Sequence, residues 1–589
     1  MASFDQPLEA YQNRLRPAHA KLVRQRLKAM VAQSGVDIQA NRATVKALKA
    51  VRDQLSSLRR QQSGWKGLRI FLWVLFGGGL LFIGVQLLFA HLAPSFPINP
   101  THLLWAGLAS LGALLLNVAW LNAKIASLRS RIATIELREQ ALLQEAWQQL
   151  APLNDLFSWD TVTDILRQTL PETTFDKAFL NRQFEALLAA STWRPDADDD
   201  FSVHDLQTGT FCGNPFALVK GRTFSMGEKC YYGSRTVFVQ KSYTDSNGRR
   251  STRSVPEVLT ATIVRPYPEY NHSSFLLFAH HAAPNLSYSR NPSKHSGKED
   301  SFFNRWSKRR TEKELEKFSR TLDDEYGFTM MANREFETLF YAKDRSDERE
   351  FRLLFTPYAQ QQMVALLNDT EIGYGDNFRM IKEGPLTAVL PLHLPSTNQS
   401  LNPSHFYHYD IDALQAHFIE FNESYFKALY FALAPLMTIP LYCQPGPRPA
   451  PTSSTEKFVT SLWENELIAN VYGDTAFAHP DCVTPCILKT KTLKHGDATI
   501  FKVTAHGFRS ETHIAHVPVR DSNGRTHQVP VEWEKFIPVQ HTRQVVALPD
   551  QSISPTAPDS LFAAESILHN NGYAAASCEH IRATYTTLV

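Results

Sequence analysis

The chain has 589 residues, with 61 Lys and Arg against 58 Asp and Glu for a formal net charge of +3. That length suits several domains of ~100–200 residues, and so balanced a charge excludes a global attraction to nucleic acid. Six cysteines in so long a chain predict reduced thiols rather than a disulfide framework.

Residues 1–67 are basic, with Arg14, Arg16, Lys21, Arg24, Arg26, Lys28, Lys46, Lys49 and Arg52 and few acids. Beside a membrane such a segment favours anionic lipid, at roughly 1 kcal/mol per cation near the surface. DNA or RNA contact is the weaker alternative and is not expected, because no nucleic-acid motif accompanies the charge. Val45, Leu48, Val51, Leu55 and Leu58 recur at threes and fours, predicting a helix over residues 18–60.

Two uncharged apolar runs follow, Ile70–Leu92 and Leu103–Leu121. Each is about long enough to cross a ~30 Å hydrocarbon core as a helix, and in lipid a helix satisfies its own backbone. Residues 68–122 are therefore expected to form a transmembrane hairpin. Arg59, Arg60, Lys66 and Arg69 precede it and Lys124, Arg129 and Arg131 follow, whereas Ala93–Thr101 carries neither Lys nor Arg. The positive-inside rule places both termini in the cytoplasm of a bacterial inner membrane. It makes Arg59, Arg60, Lys66, Arg69, Lys124 and Arg129 the residues at the lipid surface. A signal peptide is not expected, since the first run starts near residue 70 and a second follows it. A buried hairpin of a soluble protein is the alternative, but the runs have no polar face. Gly77–Gly79, Gly84, Ala106, Ser110 and Ala113 are small enough for the spans to approach closely, and Asn117 is expected to make an interhelical hydrogen bond.

Ile125, Leu128, Ile132, Ile135, Leu142 and Ala146 form a second seam. One continuous helix is predicted from Thr101 to Leu150, with its 123–152 portion paired antiparallel to the N-terminal helix as a cytosolic stalk. Self-association as an oligomeric coiled coil is the competing use of these seams.

Residues 155–440 change to an α+β pattern. An amphipathic helix is expected over Phe175–Ala190, and strands over Phe216–Val219, Thr236–Lys241 and Val258–Val264. Asp245-Ser246-Asn247-Gly248 is a hairpin turn, because Asn-Gly supplies the positive φ angles. Residues 285–310 read as an insertion loop and Glu312–Arg320 as a solvated helix with pairs such as Glu316–Arg320. Phe351–Phe355 is predicted as a strand, Tyr358–Leu367 as a helix, and Phe378–Ile381 and Leu386–Leu392 as strands. Ala413–Leu433 is an aromatic-rich helix that Pro435 should stop. Residues 441–455 form a Pro-rich linker around Pro445–Pro451.

Residues 456–589 are expected to form a smaller β-rich lobe. Asp521-Ser522-Asn523-Gly524-Arg525 repeats Asp245–Arg249 letter for letter. Pro485, Leu488, Thr492 and Gly496 align with Pro215, Leu218, Thr223 and Gly227 if one gap is allowed, and Val255-Pro256 is echoed by Val529-Pro530. A divergent duplication and a common turn arising twice both account for this.

Gly213-Asn214-Pro215-Phe216, Glu335–Phe340, Phe351-Arg352-Leu353-Leu354-Phe355-Thr356-Pro357 and Met363–Leu367 follow the two spans in order. This order resembles a bacterial domain-of-unknown-function family of two-transmembrane-helix proteins, whose members are sometimes encoded beside LemA-like proteins. The resemblance covers about residues 65–395; the chain departs from the pattern at 285–325 and beyond 440. It implies topology and domain type, and no catalytic residue carries over.

Candidate chemistry is sparse. His479, Cys482 and Cys486, with His495 and His506 downstream, are a weak zinc candidate: the second tight pair that zinc prefers is missing. Cys212 and Cys230 are candidates to approach each other across strands. Asp196, Asp198, Asp199 and Asp200 lack the spacing of a calcium loop. His280-His281 is a possible base without a nucleophile elbow, and there is no His-Glu-x-x-His, Walker or Rossmann signature. Lys308-Arg309-Arg310 beside Phe302, Phe303 and Trp306 suits either lipid docking or a charged loop. The sequence thus predicts a membrane-anchored, cytoplasm-facing binding or scaffolding protein with no cofactor. A membrane-bound hydrolase with a dispersed site is the alternative.

Overall fold

The computed structural model describes residues 6–92, 100–158, 160–175, 200–244, 249–293, 329–445, 461–494, 499–547, 576–581 and 585–588. The fold is mixed α+β: long N-terminal helices precede two antiparallel sheets. The chain divides into two compact units. A helical unit comprises Arg24–Ser158 and Asn402–Glu420; a sheet unit comprises Met1–Val23, Trp159–Leu401 and Phe421–Val589.

The helix expected over residues 18–60 is interrupted. An α-helix over Arg16–Ser34 ends at Gly35, where φ is +65°. Asp37 then accepts hydrogen bonds from the backbone N–H groups of Gln39 and Ala40 (2.9 and 3.0 Å), capping a new 55-residue helix, Ile38–Leu92. The second apolar run starts an α-helix over Pro100–Leu115, passes through a π-helical turn over Leu116–Leu121, and continues as Asn122–Asn154. The helical path predicted from Thr101 to Leu150 is thus unbroken, with one wide turn. The connection at 93–99 lies outside the described residues.

The two helical arms pair antiparallel. Asn41 Nδ2 donates to Gln149 Oε1 (3.3 Å), Arg52 binds Glu139 (2.7 Å) and Arg59 binds Glu136 (2.8 Å). Val45, Leu48, Val51 and Leu55 are buried with Ile125, Leu128, Ile132 and Ala146, so both seams are used within the chain. Further along, a Cβ on Gly79 would meet Ser110 Oγ, so a larger residue there would have to turn the serine hydroxyl aside. Gly77, Gly78 and Gly84 meet nothing within 4 Å, so one glycine rather than four makes the contact. Asn117 Nδ2 donates to the Arg69 carbonyl at 3.4 Å, the expected interhelical bond. An unexpected segment joins this unit: Asn41 Nδ2 donates to the Tyr409 carbonyl, and Arg42 forms an ion pair with Asp412 (2.7 Å).

In the sheet unit the first sheet has seven strands in the order β1-β2-β3-β4-β7-β6-β5. They are β1 (Thr173–Phe175), β2 (Phe201–Phe211), β3 (Asn214–Thr244), β4 (Arg250–Ala279), β5 (Ser287–Arg290), β6 (Phe378–Glu383) and β7 (Leu386–Pro391). The second sheet contains β8 (Ile487–Lys494), β9 (Thr499–Arg520), β10 (Thr526–Ala547), β11 (Ala576–Ile581) and β12 (Tyr585–Leu588), ordered β11-β12-β10-β9-β8.

All three strands predicted between 216 and 264 fall in β3 and β4, which pair without a break from Phe216↔Phe278 to Thr244↔Arg250. β9 and β10 make a second long ribbon. The two ribbons pack through Tyr231, Val237, Val239, Leu259 and Ala261 against Val529 and Val531. At Gly233 the ribbons come close enough that a Cβ would collide with the Pro530 carbonyl.

The second copy of the repeated turn closes β9 and β10: Asp521 Oδ1 accepts from the N–H groups of Asn523 and Arg525, both at 2.9 Å. The first copy at 245–248 lies outside the described residues, between strands paired as a hairpin. The upstream part of the proposed repeat does not match structurally. Leu218 is in β3, the strand leading into its turn, whereas Leu488 is in β8, one strand earlier than its turn requires.

Other expectations are corrected. Phe351–Phe355 is not a strand; Glu348–Leu354 is a helix. Asp347 caps it by accepting from Glu350 N–H, two acids fill its first turn, and Phe351 and Leu354 bury the same face. Pro435 lies inside the helix Ile411–Met437 rather than ending it. Phe175 closes β1 instead of opening a helix, and 176–190 lie outside the described residues. So do 294–328, with the Lys308–Arg310 cluster and the Glu316–Arg320 pair, residues 446–455 of the linker, and 456–460 at the start of the expected C-terminal lobe. The helix Pro357–Asn368, β6 and β7 fall where expected.

Candidate functional site

The apolar helical arms show their side chains outward. The Ile38–Gln86 stretch is long and apolar enough to cross a membrane, and none of its most apolar window is buried. Val74, Leu81, Leu104 and Trp105 are more than half exposed. A helix meant for water hides such groups, because each buried Leu or Phe is worth about 1.5–3 kcal/mol. Trp65 and Trp120 meet edge to face with ring centroids 5.4 Å apart, at one end of the apolar zone, where an interface favours such amphipathic rings. Arg59, Arg60, Lys66, Lys124 and Arg129 are exposed and Arg69 is half-buried. The antiparallel pairing brings these six cations to that same end.

A concave site lies in the sheet unit between the ribbons. The cavity, about 340 Å³, is lined by Lys229, Tyr267, Tyr270, Thr484, Ser510 and Glu534, with Pro268, Val483, Pro485 and Phe536. Lys229 Nζ sits 5.0 and 4.9 Å from the Tyr231 and Tyr267 rings and 3.4 Å from Glu534. Tyr270 Oη lies 3.2 Å from Thr484 Oγ1, and burial pushes its hydroxyl up to about 12. Ser510 has no His or Asp beside it in the lining, so the triad logic of hydrolases is not assembled here.

Behind this cavity the two thiols of the proposed metal cluster do meet, with Cys482 Sγ and Cys486 Sγ 3.6 Å apart. His479 is not a third ligand: its Nδ1 accepts from the Asp481 N–H at 3.1 Å. Among the described residues no group of three or more His, Cys, Asp or Glu is arranged to hold a metal. Burial first, and the neighbouring Cys482 thiol second, push Cys486 up to about 12. That thiol therefore stays protonated and behaves as a buried apolar group. Arg222 ties the region together, bonding Asp474 and the Cys486 carbonyl.

Cys212 does not approach Cys230. It hydrogen-bonds Cys443, which lowers its pKa, while Cys230 is exposed on β3. His280 is no free base: its Nδ1 accepts from Ala282 N–H (2.9 Å), leaving Nε2 to donate to the Gln444 carbonyl (3.3 Å). Of the acidic run, Asp200 is exposed and 196–199 lie outside the described residues.

Sequence reasoning missed His204, which sits at a register shift between Val203 and Asp205 in β2. Its ring is 6.0 Å from His272, and its Nε2 is buried without a partner. Burial, then the Arg222 charge, push it down to about 4. Nothing in a single sequence marks an extra residue in a strand, so no local signal could have found it. No protein-family model matches the chain, and no match was found among curated proteins or among solved structures.

Proposed function

We propose that this chain is a membrane-anchored, cytoplasm-facing binding or scaffolding protein of a bacterial inner membrane. In this reading both apolar arms span the bilayer as a hairpin, the antiparallel helices above them form a cytosolic stalk, and both termini are cytoplasmic. Arg59, Arg60, Lys66, Arg69, Lys124 and Arg129 meet the head groups. The kinship with two-transmembrane-helix proteins of unknown function belongs to the same proposal.

One observation carries it: a long apolar helical stretch with none of its most apolar window buried. The seams of the stalk are already packed within the chain, which favours a partner met elsewhere than through an oligomeric coiled coil. Tethering raises the effective concentration of the sheet unit near membrane partners, so weak contacts suffice.

Alkaline carbonate extraction of membranes, with a C-terminal tag and protease added to intact spheroplasts, tests the reading. The chain is expected to stay in the membrane pellet and the tag to survive until the cells are lysed. Release into the supernatant, or loss of the tag from intact spheroplasts, overturns it.

A further inference from the structure

Two cysteines behind the cavity are held against each other by bonds at both ends of their segment. Cys482 N–H donates to the His479 carbonyl (2.9 Å). Cys486 N–H donates to Asp474 Oδ2 (3.3 Å), and its carbonyl accepts from Arg222 (3.2 Å). Both backbones are thus pinned, and the sulfurs meet at 3.6 Å. Gly507 of β9 leaves the room for them, since a Cβ there would meet both Sγ atoms.

The two thiols differ in access and in hydrogen bonding. Cys482 is half-buried and Cys486 is buried. Cys482 Sγ–H donates to the Thr484 carbonyl (3.3 Å), which leaves the Cys486 Sγ–H to donate to Cys482 Sγ. Such a donor favours a thiolate on the outer sulfur, the one a reactant can reach. A disulfide needs its sulfurs ~2 Å apart, so closure asks for side-chain rotation and leaves the pinned backbone in place.

We propose that Cys482 and Cys486 are a redox-active dithiol, closed to a disulfide by a low-molecular-weight disulfide. The Cys482 thiolate attacks one sulfur of the oxidant and displaces the other half as a thiolate. That thiolate takes the Cys486 proton as Cys486 Sγ attacks Cys482 Sγ. The second half then leaves as a thiolate and picks up the proton that Cys482 gave to water. Two protein thiols are oxidised, and the oxidant is reduced to two thiols. The ring so closed holds Val483, Thr484 and Pro485, which line the cavity, and it removes the S–H donor from the Thr484 carbonyl. Oxidation therefore alters the cavity wall. In a cytoplasm such a bond is transient, made and broken with the thiol pool. The pair belongs to the sheet unit, so it closes whether or not the arms lie in lipid.

The test uses the full chain in detergent, equilibrated with graded ratios of oxidised to reduced glutathione, quenched with acid and alkylated with N-ethylmaleimide. Trypsin then releases residues 458–489, a peptide that holds both thiols and no other cysteine. It is expected to pass from two alkyl groups to none, two hydrogens lighter, and to regain both after dithiothreitol. Cys230, exposed on β3, is the control, and its peptide should carry an alkyl or a glutathione group at every ratio. Unfolding in urea destroys the pinned geometry, so the unfolded chain should need at least about tenfold more oxidised glutathione for the same closure. The Cys486→Ala variant should keep glutathione on Cys482 as a lasting adduct. Amide exchange at Val483, whose N–H donates to the Phe508 carbonyl (2.9 Å), should differ between the oxidised and reduced chains. Two alkyl groups at every ratio overturn the proposal, as does a folded chain that needs as much oxidant as the unfolded one, or a glutathione-free Cys482 in the variant. Equal exchange at Val483 in the two states overturns the link to the cavity.

Discussion

The helical arms and the β-ribbons solve opposite problems with the same kind of residue. Each is an antiparallel hairpin of unusual length. The ribbons turn Val237, Val239, Val529 and Val531 toward each other until each is nearly inaccessible, while the arms turn Leu81, Leu104 and Trp105 outward. Burial drives the first arrangement through the release of water. The second is stable only where the surroundings are themselves apolar, and there the helices are held by close approach at Gly79 and Ser110 rather than by hydrophobicity. On the proposed membrane reading, what separates the two regions is solvent, and mutations that act through solvent should then treat them oppositely.

Trp463→Ala gives the largest expected effect. The ring is almost fully buried with Phe201, Val203, Leu206 and Leu467 and meets Phe275 at 6.0 Å. Emptying such a site costs about 3–5 kcal/mol. Chemical unfolding followed by aromatic fluorescence of the sheet unit should show a lower midpoint at an unchanged slope. Leu81→Lys comes next. Leu81 is 71% exposed, so in water the change would be nearly neutral, whereas a lysine at the centre of a span costs about 2.5–3.5 kcal/mol. The carbonate-resistant fraction should fall sharply; a variant as resistant as the parent would show that the arm faces water.

These contrasts explain what the sequence could disclose. Seams such as Val45, Leu48, Val51 and Leu55 were legible because a 3.6-residue period survives in the letters. The turn at Asp521–Gly524 was legible because its chemistry is local: one carboxylate caps two backbone N–H groups. Phe351–Phe355 was misread because a short apolar run looks alike in either state; the deciding signal was Asp347, which caps the helix starting at Glu348. Pro435 was misread because proline breaks a helix through its i−4 carbonyl, yet this helix carries on to Met437. Contacts across long stretches of chain, such as Arg42 with Asp412 or Cys212 with Cys443, leave no local trace. The β3–β4 ribbon showed its strands but not their full length, Asn214–Thr244 and Arg250–Ala279, since apolar residues on both faces blur the alternation that marks a half-buried strand.

Acid should also separate the two regions. His19 is buried against Phe426, with ring centroids 4.2 Å apart, and its Nε2 lies 3.1 Å from the Asn422 carbonyl. Burial pushes its pKa from 6.5 down to about 4. A folded-state pKa below the unfolded one means that the unfolded chain takes up the proton first. Stability is therefore complete above about 6.5 and is lost as the pH falls toward about 4, by at most about 3 kcal/mol from this group. His204 and His393, also held near 4 by burial, act in the same direction and in the same unit. Unfolding of the sheet unit measured across that window should steepen with acid, and His19→Gln should flatten part of the slope. An identical slope in the variant would place the acid sensitivity elsewhere.

Arg59→Ala should do least to stability. The Arg59–Glu136 pair is short, at 2.8 Å, but its side chains are 60% and 40% exposed. Water and salt screen such a pair, and holding two long side chains in register costs entropy, so exposed pairs contribute about 0–1 kcal/mol. The packing of Leu55 and Ile132 beneath it is untouched by the change. Thermal unfolding of the detergent-solubilised chain should move by a degree or two. The same substitution removes one of the cations flanking the apolar arm, and topology depends on those cations by count rather than by pairing. A variant in which stability holds while the share of correctly oriented chains falls would assign Arg59 to the lipid surface; one in which stability alone falls would assign it to the stalk.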